Sequence, residues 1–202
     1  MLTNCKVVYE EVAELHASGI DQGFLSSLGV SFLALLYEAI DSSDDAILLV
    51  EYGHGSVLGF VSGAPSLRPI YKALLRRPIR LISTLWPVLL SPVKLWHILE
   101  LMVYAFWSFD EKTESASPAL PDFELISISV SLDERRSGVA LRLYEGLKKA
   151  AAERGFDAFK IIVGDELDGA HKFYTRMGAV PIRKTSVHGD AASIIYVQQL
   201  SS

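Results

Sequence analysis

The chain predicts an α/β fold built on a mixed sheet, and three observations carry that expectation. Phe123 to Ser131 alternates, with Glu124, Ile126, Ile128 and Val130 on one face and Leu125, Ser127, Ser129 and Ser131 on the other, which is the period of a strand. Directly after a polar turn, Leu143, Tyr144, Leu147, Ala150 and Ala151 recur at helical spacing. Ala46 to Tyr52 and Val57 to Ser62 are apolar runs separated by Gly53-His54-Gly55-Ser56, the mark of a tight antiparallel hairpin.

The other elements follow in order. Cys5 to Glu11 reads as a first strand, and Leu25, Leu28, Phe32, Leu35 and Leu36 form an apolar helical stripe that ends near Asp41-Ser42-Ser43. Beyond the central strand and helix come a strand at Phe159 to Val163 and a helix from about Asp168. A last strand pair, Val180 to Val187 and Ser193 to Gln199, turns at His188-Gly189-Asp190. No internal repeat interrupts this order, and 202 residues with 50% hydrophobic content suit one domain over 1–202.

Residues 66–107 stand apart. Pro69, Pro78, Pro87 and Pro92 divide them into short helices, since proline is accepted at a helix start and disruptive within one. Leu81, Ile82, Leu85, Trp86, Leu95, Trp96, Met102 and Phe106 make the segment strongly apolar. Pro87, Pro92, Lys94, His97 and Glu100 nevertheless interrupt every window of the roughly twenty apolar residues that a spanning helix needs. Arg68, Lys72, Arg76, Arg77, Arg80 and Lys94 face a single acid, Glu100. Two readings are open: a basic, hydrophobic lid over an acceptor pocket that touches anionic lipid or a nucleotide-linked substrate, or a helical subdomain or homodimer face with solvated cations. The polar stretch 110–121 reads as a mobile loop returning to the sheet.

Net charge of −5 argues against binding nucleic acid over the whole surface, which needs many phosphate-neutralising cations. A single cysteine, Cys5, excludes an internal disulfide and a cysteine-rich zinc site, and no His, Cys and carboxylate spacing predicts a metal. The first residues lack a basic region followed by an apolar run, so a cytoplasmic address is expected, with peripheral membrane contact through 66–107 as the variant.

The candidate site is the turn Arg135-Arg136-Ser137-Gly138-Val139-Ala140 between the central strand and its helix. The first N–H groups of a helix have no partner within it and carry partial positive charge, which suits phosphate. Gly138 and Ala140 allow close approach to the backbone, and Arg135 and Arg136 add charge. An ordinary strand-to-helix loop accounts for the same residues.

Arg135 to Ala140 fits the Arg/Gln-x-x-Gly-x-Gly/Ala signature, and Ala170-His171-Lys172-Phe173-Tyr174-Thr175-Arg176-Met177-Gly178-Ala179 fits a later helix with its Tyr and terminating Gly; in both the chain resembles the Gcn5-related N-acetyltransferases, the GNAT superfamily. The likeness is strongest over 123–182 and weaker over 5–65, where Phe24 to Tyr37 resembles the first helical region of a bacterial subgroup. It implies a GNAT-like fold: a mostly antiparallel twisted sheet flanked by helices, with 66–107 as a hydrophobic helical insertion between the third and fourth strands. It implies acetyl-CoA as co-substrate, with pyrophosphate on the backbone of Arg135, Arg136, Ser137, Gly138, Val139 and Ala140. Pantetheine would pair with the backbone of Ile128 and Val130 where the strand splays from its neighbour, Gly164 being either the bulge that opens the split or a plain strand end.

The resemblance further implies transfer of an acetyl group to an amine, with Tyr174 as the acid that protonates the leaving thiolate and Glu124 as the amine's base. His54, His97, His171 and His188 are alternative bases, since imidazole titrates near neutrality. Leu167 stands where many relatives carry Asn. The acceptor expected is a small-molecule primary amine, amino sugars included; a protein N-acetyltransferase and an acyl-CoA-binding or membrane-peripheral regulatory module without turnover are the alternatives.

Overall fold

The computed structural model describes residues 5–20, 26, 28–53, 55–89, 120–188 and 191–200. Helices α1 (Cys5–Gly19) and α2 (Val30–Asp41) precede the hairpin β1 (Ile47–Gly53) and β2 (Ser56–Ala64). Helices α3 (Arg68–Leu75) and α4 (Pro78–Leu89) then lead toward β3 (Glu124–Val130) and a short 3-10 turn at Leu132–Glu134. The chain continues through α5 (Val139–Glu153), β4 (Ala158–Gly164), α6 (Asp168–Arg176), β5 (Val180–His188) and β6 (Ala191–Gln199).

The six strands lie in the order β1-β2-β3-β4-β6-β5. Every neighbouring pair is antiparallel except β3 and β4, which run parallel and are joined through α5. Adjacent residues of β2 show how the layers are arranged. Phe60 packs into the cluster formed with α1, α2 and α3, and Val61 into the one formed with α5 and α6. Because successive strand residues point to opposite faces, the two helical layers cover opposite sides of the sheet.

Cys5 to Glu11 is helical, against the expected strand. Val7, Val8 and Tyr9 favour a strand locally, but Val8, Val12 and His16 recur every fourth residue and point inward, Val12 and His16 fully so. The longer period wins because burying that stripe against α2 and the sheet outweighs residue propensity. The segment expected between the third and fourth strands therefore lies between the second and third. Prolines start its helices as expected: Pro69 stands in the first turn of α3 and Pro78 opens α4. Pro87, by contrast, sits within the last turn of α4. Its remainder at 90–107, and residues 110–119 of the loop expected at 110–121, lie outside the described residues.

Not all of the segment's cations are solvated. Glu38 of α2 accepts Arg80 through two bonds, Nη1 to Oε1 at 3.0 Å and Nη2 to Oε2 at 2.8 Å, and also pairs with Arg77. These pairs tie α4 and the turn before it to α2, adding on the order of 1 kcal/mol or less each at such half-exposed positions. Among the described residues no helix is long and apolar enough to cross a membrane.

The α1/α2 layer encloses a histidine. Burial pushes the pKa of His16 from its ordinary 6.5 down to about 4. The unfolded chain thus binds a proton that the folded chain refuses between those values, and stability falls as pH drops from 6.5 toward 4, by about 3 kcal/mol over the whole window. Urea unfolding at pH 7 and pH 4.5 is expected to show this loss in the wild type and a smaller one in His16→Gln. Equal losses in both would assign the acid sensitivity elsewhere.

Candidate functional site

The backbone register places a break in the sheet at the middle of β3. Ser62 of β2 faces Ser127, but Gly63 faces Leu125, so Ile126 is an extra residue and forms a β-bulge. Strict alternation fails at this point. Ile126 packs with the α1/α2 layer, as does Ser127 through Tyr37, whereas Leu125, Ile128 and Val130 pack with the α5/α6 layer. The uniform face expected for Glu124, Ile126, Ile128 and Val130 is thereby divided after Ile126. The serine face is also the more buried one, with Ser127 and Ser129 at 6% and 8% exposed.

The parallel pairing of β3 with β4 covers only Glu124↔Lys160 and Leu125↔Ile161. Past the bulge the strands part, while β4 stays paired with β6 through Gly164↔Ser193. Of the two readings of Gly164, the plain strand end agrees with the register: its pairing with β6 is regular, and the irregularity lies in β3. The ladder between β3 and β4 therefore has a gap beyond these pairs, with the backbone edge of Ile128 and Val130 along one side.

The gap leads to the turn before α5. Arg135 is extended (φ −64°, ψ 138°), Arg136 is left-handed at φ 67°, and Gly138, the N-cap, is left-handed at φ 88°. A left-handed arginine costs on the order of 1 kcal/mol, a strain that natural chains concentrate at functional sites. No side chain caps the helix, and the first N–H bond into Gly138 comes from Arg142 at 3.0 Å. The N–H groups of Arg136, Gly138, Val139 and Ala140 have no acceptor among the described residues. Consecutive free amides in alternating conformations form a concavity for an anion. Arg135, Arg136 and Ser137 are exposed, while Val139 is buried in the core and offers only its backbone outward.

Gly59, which sequence reasoning passed over, seats this turn on the sheet. A Cβ there would stand 2.8 Å from Val139 Cγ1 and 3.1 Å from the carbonyl of Ser129. A glycine inside an apolar strand run was the available signal.

Glu124 and Tyr174 occupy opposite faces. Glu124 lies beside Lys160, whose Nζ is 3.5 Å from Oε2, on the face shared with Tyr71 of α3. Burial pushes the Glu124 carboxyl above its usual range, with Lys160 pulling it partly back. Tyr174 is 5% exposed and packs against Tyr144 and Tyr196, with ring centroids 5.9 and 6.3 Å away. Its hydroxyl has no hydrogen-bond partner among the described residues, and burial pushes its pKa up.

Among the alternative bases, His171 is engaged at both ring nitrogens. Nε2 donates to the Gly164 carbonyl at 3.0 Å, leaving Nδ1 to accept from the Tyr196 hydroxyl at 2.9 Å. It ties the end of β4 to α6. His54 and His97, and the His188 side chain, lie outside what is described. Leu167 is the exposed N-cap residue of α6 and caps nothing. Among the described residues no group of three His, Cys, Asp or Glu could hold a metal.

A mixed six-stranded sheet whose parallel pair parts toward an uncapped helix start defines a class of α/β proteins with an anion-accepting turn at the end of a central strand. The chain belongs to the acetyltransferase (GNAT) family, whose sequence profile matches residues 24–179. It is an acyltransferase, of the kind that moves acetyl groups. Solved structures share the fold at low identity. An N-acetyltransferase from Staphylococcus aureus Mu50 aligns at 14% identity and TM-score 0.60, over 97% of this chain and 94% of that one. Aminoglycoside 6′-acetyltransferase type Ii aligns at 14% and 0.60, over 98% and 94%. An aminoglycoside 6′-N-acetyltransferase complexed with coenzyme A aligns at 12% and 0.59, over 97% and 92%. No curated protein matches the chain.

Proposed function

We propose that the protein is an N-acetyltransferase that moves the acetyl group of acetyl-CoA onto the primary amine of a small molecule. The observation that carries this reading is the parting of β3 from β4 beyond Leu125 and Ile161, in line with the free amides before α5. A gap edged by unpaired strand backbone fits an amide-bearing arm, and the amides of Arg136, Gly138, Val139 and Ala140 fit a pyrophosphate, with Arg135 and Ser137 at the rim. Ile128 and Val130 would supply the strand edge. Bound there, acetyl-CoA supplies an acyl group activated by a thiolate leaving group.

The remaining chemistry belongs to side chains. Glu124 accepts a proton from the acceptor ammonium or amine on the α1/α2 side of the gap, directly or through water. Tyr174 donates its phenolic proton to the departing sulfur from the α6 side. Its phenol is protonated at neutral pH, although the burial that raises its pKa makes it a weaker acid than an exposed tyrosine. Because Glu124 works only as carboxylate, kcat/KM is expected to fall as pH drops through its raised pKa. Glu124→Gln is expected to lower kcat/KM at pH 7 by about 100-fold and to abolish that acidic limb. An unchanged profile would remove Glu124 from the mechanism.

Amino sugars are the acceptor class we put first, and two structures of the same fold are aminoglycoside acetyltransferases. A free-thiol assay across amino sugars, amino acids, polyamines and peptides tests this. Turnover confined to peptides would make the protein a protein N-acetyltransferase, and thiol release with none of them would overturn the proposal of a small-molecule amine acceptor.

Peripheral contact with anionic lipid has its own support in α4, where Ile79 and Ile82 are 83% and 55% exposed and Arg76 stands nearby. Co-sedimentation with phosphatidylglycerol vesicles, lost in Ile79→Glu, is the expected result. Failure of the wild type to sediment would exclude it.

A further inference from the structure

Behind the point where β3 leaves β4, four polar side chains meet inside an otherwise apolar layer. His16 of α1, Tyr37 of α2, Ser62 of β2 and Ser127 of β3 are 4%, 1%, 0% and 6% exposed. Tyr37 Oη lies 2.5 Å from His16 Nδ1 and 3.0 Å from Ser127 Oγ, and Ser127 Oγ lies 2.7 Å from Ser62 Oγ. With Tyr37 donating to His16, Ser127 to Tyr37 and Ser62 to Ser127, each hydroxyl donates once. One residue pair on, Ser129 Oγ donates to the Leu15 carbonyl of α1 at 3.3 Å.

The network sits on the register step. Ser62↔Ser127 is the last pair before the shift that leaves Ile126 unmatched. Removing the bulge would slip the strand by one residue and send each side chain on one side of it to the opposite face. Ser127 and Ser129 would then enter the apolar α5/α6 layer without partners, at a cost of about 1–3 kcal/mol for each buried hydroxyl. Apolar side chains tolerate such a slip far better, because they need no particular partner, whereas hydroxyls in a chain are satisfied in one register alone.

We infer that Ser127, Tyr37 and Ser62 are positioning residues that clamp β3 in its bulged register and thereby set the width of the acyl-donor gap. The inference rests on the reading of that gap as the place of acetyl-CoA. Ser127 touches neither Glu124 nor the turn before α5 in the contacts described, so its effect is exerted through the backbone it holds.

Two variants and one control test it. Ser127→Ala and Tyr37→Phe are each expected to raise the KM for acetyl-CoA about tenfold, with kcat changed less than about threefold, and to speed amide hydrogen exchange across 126–130. Combining them should cost no more than the larger single effect, since both open one network. Val12→Ala truncates a fully buried core residue of α1 outside the network and is expected to lower the melting temperature without raising KM. An unchanged KM and unchanged exchange in both network variants would overturn the clamp, as would an equal rise of KM in Val12→Ala. If the wild type binds no coenzyme A in calorimetry, the reading of the gap falls. The exchange measurement then still decides the clamp: faster exchange upholds it, and unchanged exchange refutes it.

Discussion

Tyr174→Phe is expected to lower kcat by about 100- to 1,000-fold while leaving the dissociation constant for coenzyme A within about threefold of the wild type. The substitution removes one oxygen and keeps the ring that packs against Tyr144, Phe173 and Tyr196. Because the hydroxyl has no hydrogen-bond partner among the described residues, its loss should cost little stability, so a drop in rate reports chemistry. Thiol release under saturating acetyl-CoA gives kcat, and titration calorimetry gives the affinity. A variant with wild-type kcat would show that the leaving sulfur takes its proton from elsewhere. A variant that loses affinity and rate together would make Tyr174 a packing residue.

Gly138→Val is expected to raise the KM for acetyl-CoA by at least about tenfold. At φ 88° a β-branched residue is strained by on the order of 1–2 kcal/mol or more, and the turn can relieve that strain only by turning its amides away. A Cβ there would also stand 3.1 Å from Arg142 Nη1, the tip of a side chain that pairs with Glu51. Gly138→Asn separates backbone from bulk, since asparagine tolerates the left-handed region, and its KM should fall between those of the wild type and the valine variant. Retained affinity in a folded Gly138→Val protein would mean that the anion is held elsewhere.

The turn and the later helix were legible because their signals are local. Arg135 to Ala140 and Tyr174 stand in short motifs whose positions between strand and helix can be read along the chain. The hairpin was legible for the same reason, its glycines lying between two apolar runs. Other features were misread where a local signal competed with a longer one. Val7, Val8 and Tyr9 resemble a strand over three residues and belong to a helix over fifteen. Ile126, Ile128 and Val130 resemble one face because alternation assumes no extra residue, and a bulge leaves no mark of its own in an isoleucine and a serine. His16, Tyr37, Ser62 and Ser127 lie up to 111 positions apart in the chain, and nothing in the spacing of those four residues announces that they meet.

Periodicity, turn chemistry and two short motifs in the amino-acid order were sufficient for the class of fold, most of its strands and helices, and the position of the turn before α5. Those features arise from neighbours a few residues apart, whose preferences act before any packing occurs. The register of β3, the parting from β4, the separation of Glu124 and Tyr174 onto opposite faces, and the capture of Arg77 and Arg80 by Glu38 came from assembly. Each depends on groups distant in the chain satisfying one another in a crowded interior, where a buried hydroxyl or charge accepts few partners and a strand that slips by one residue loses them.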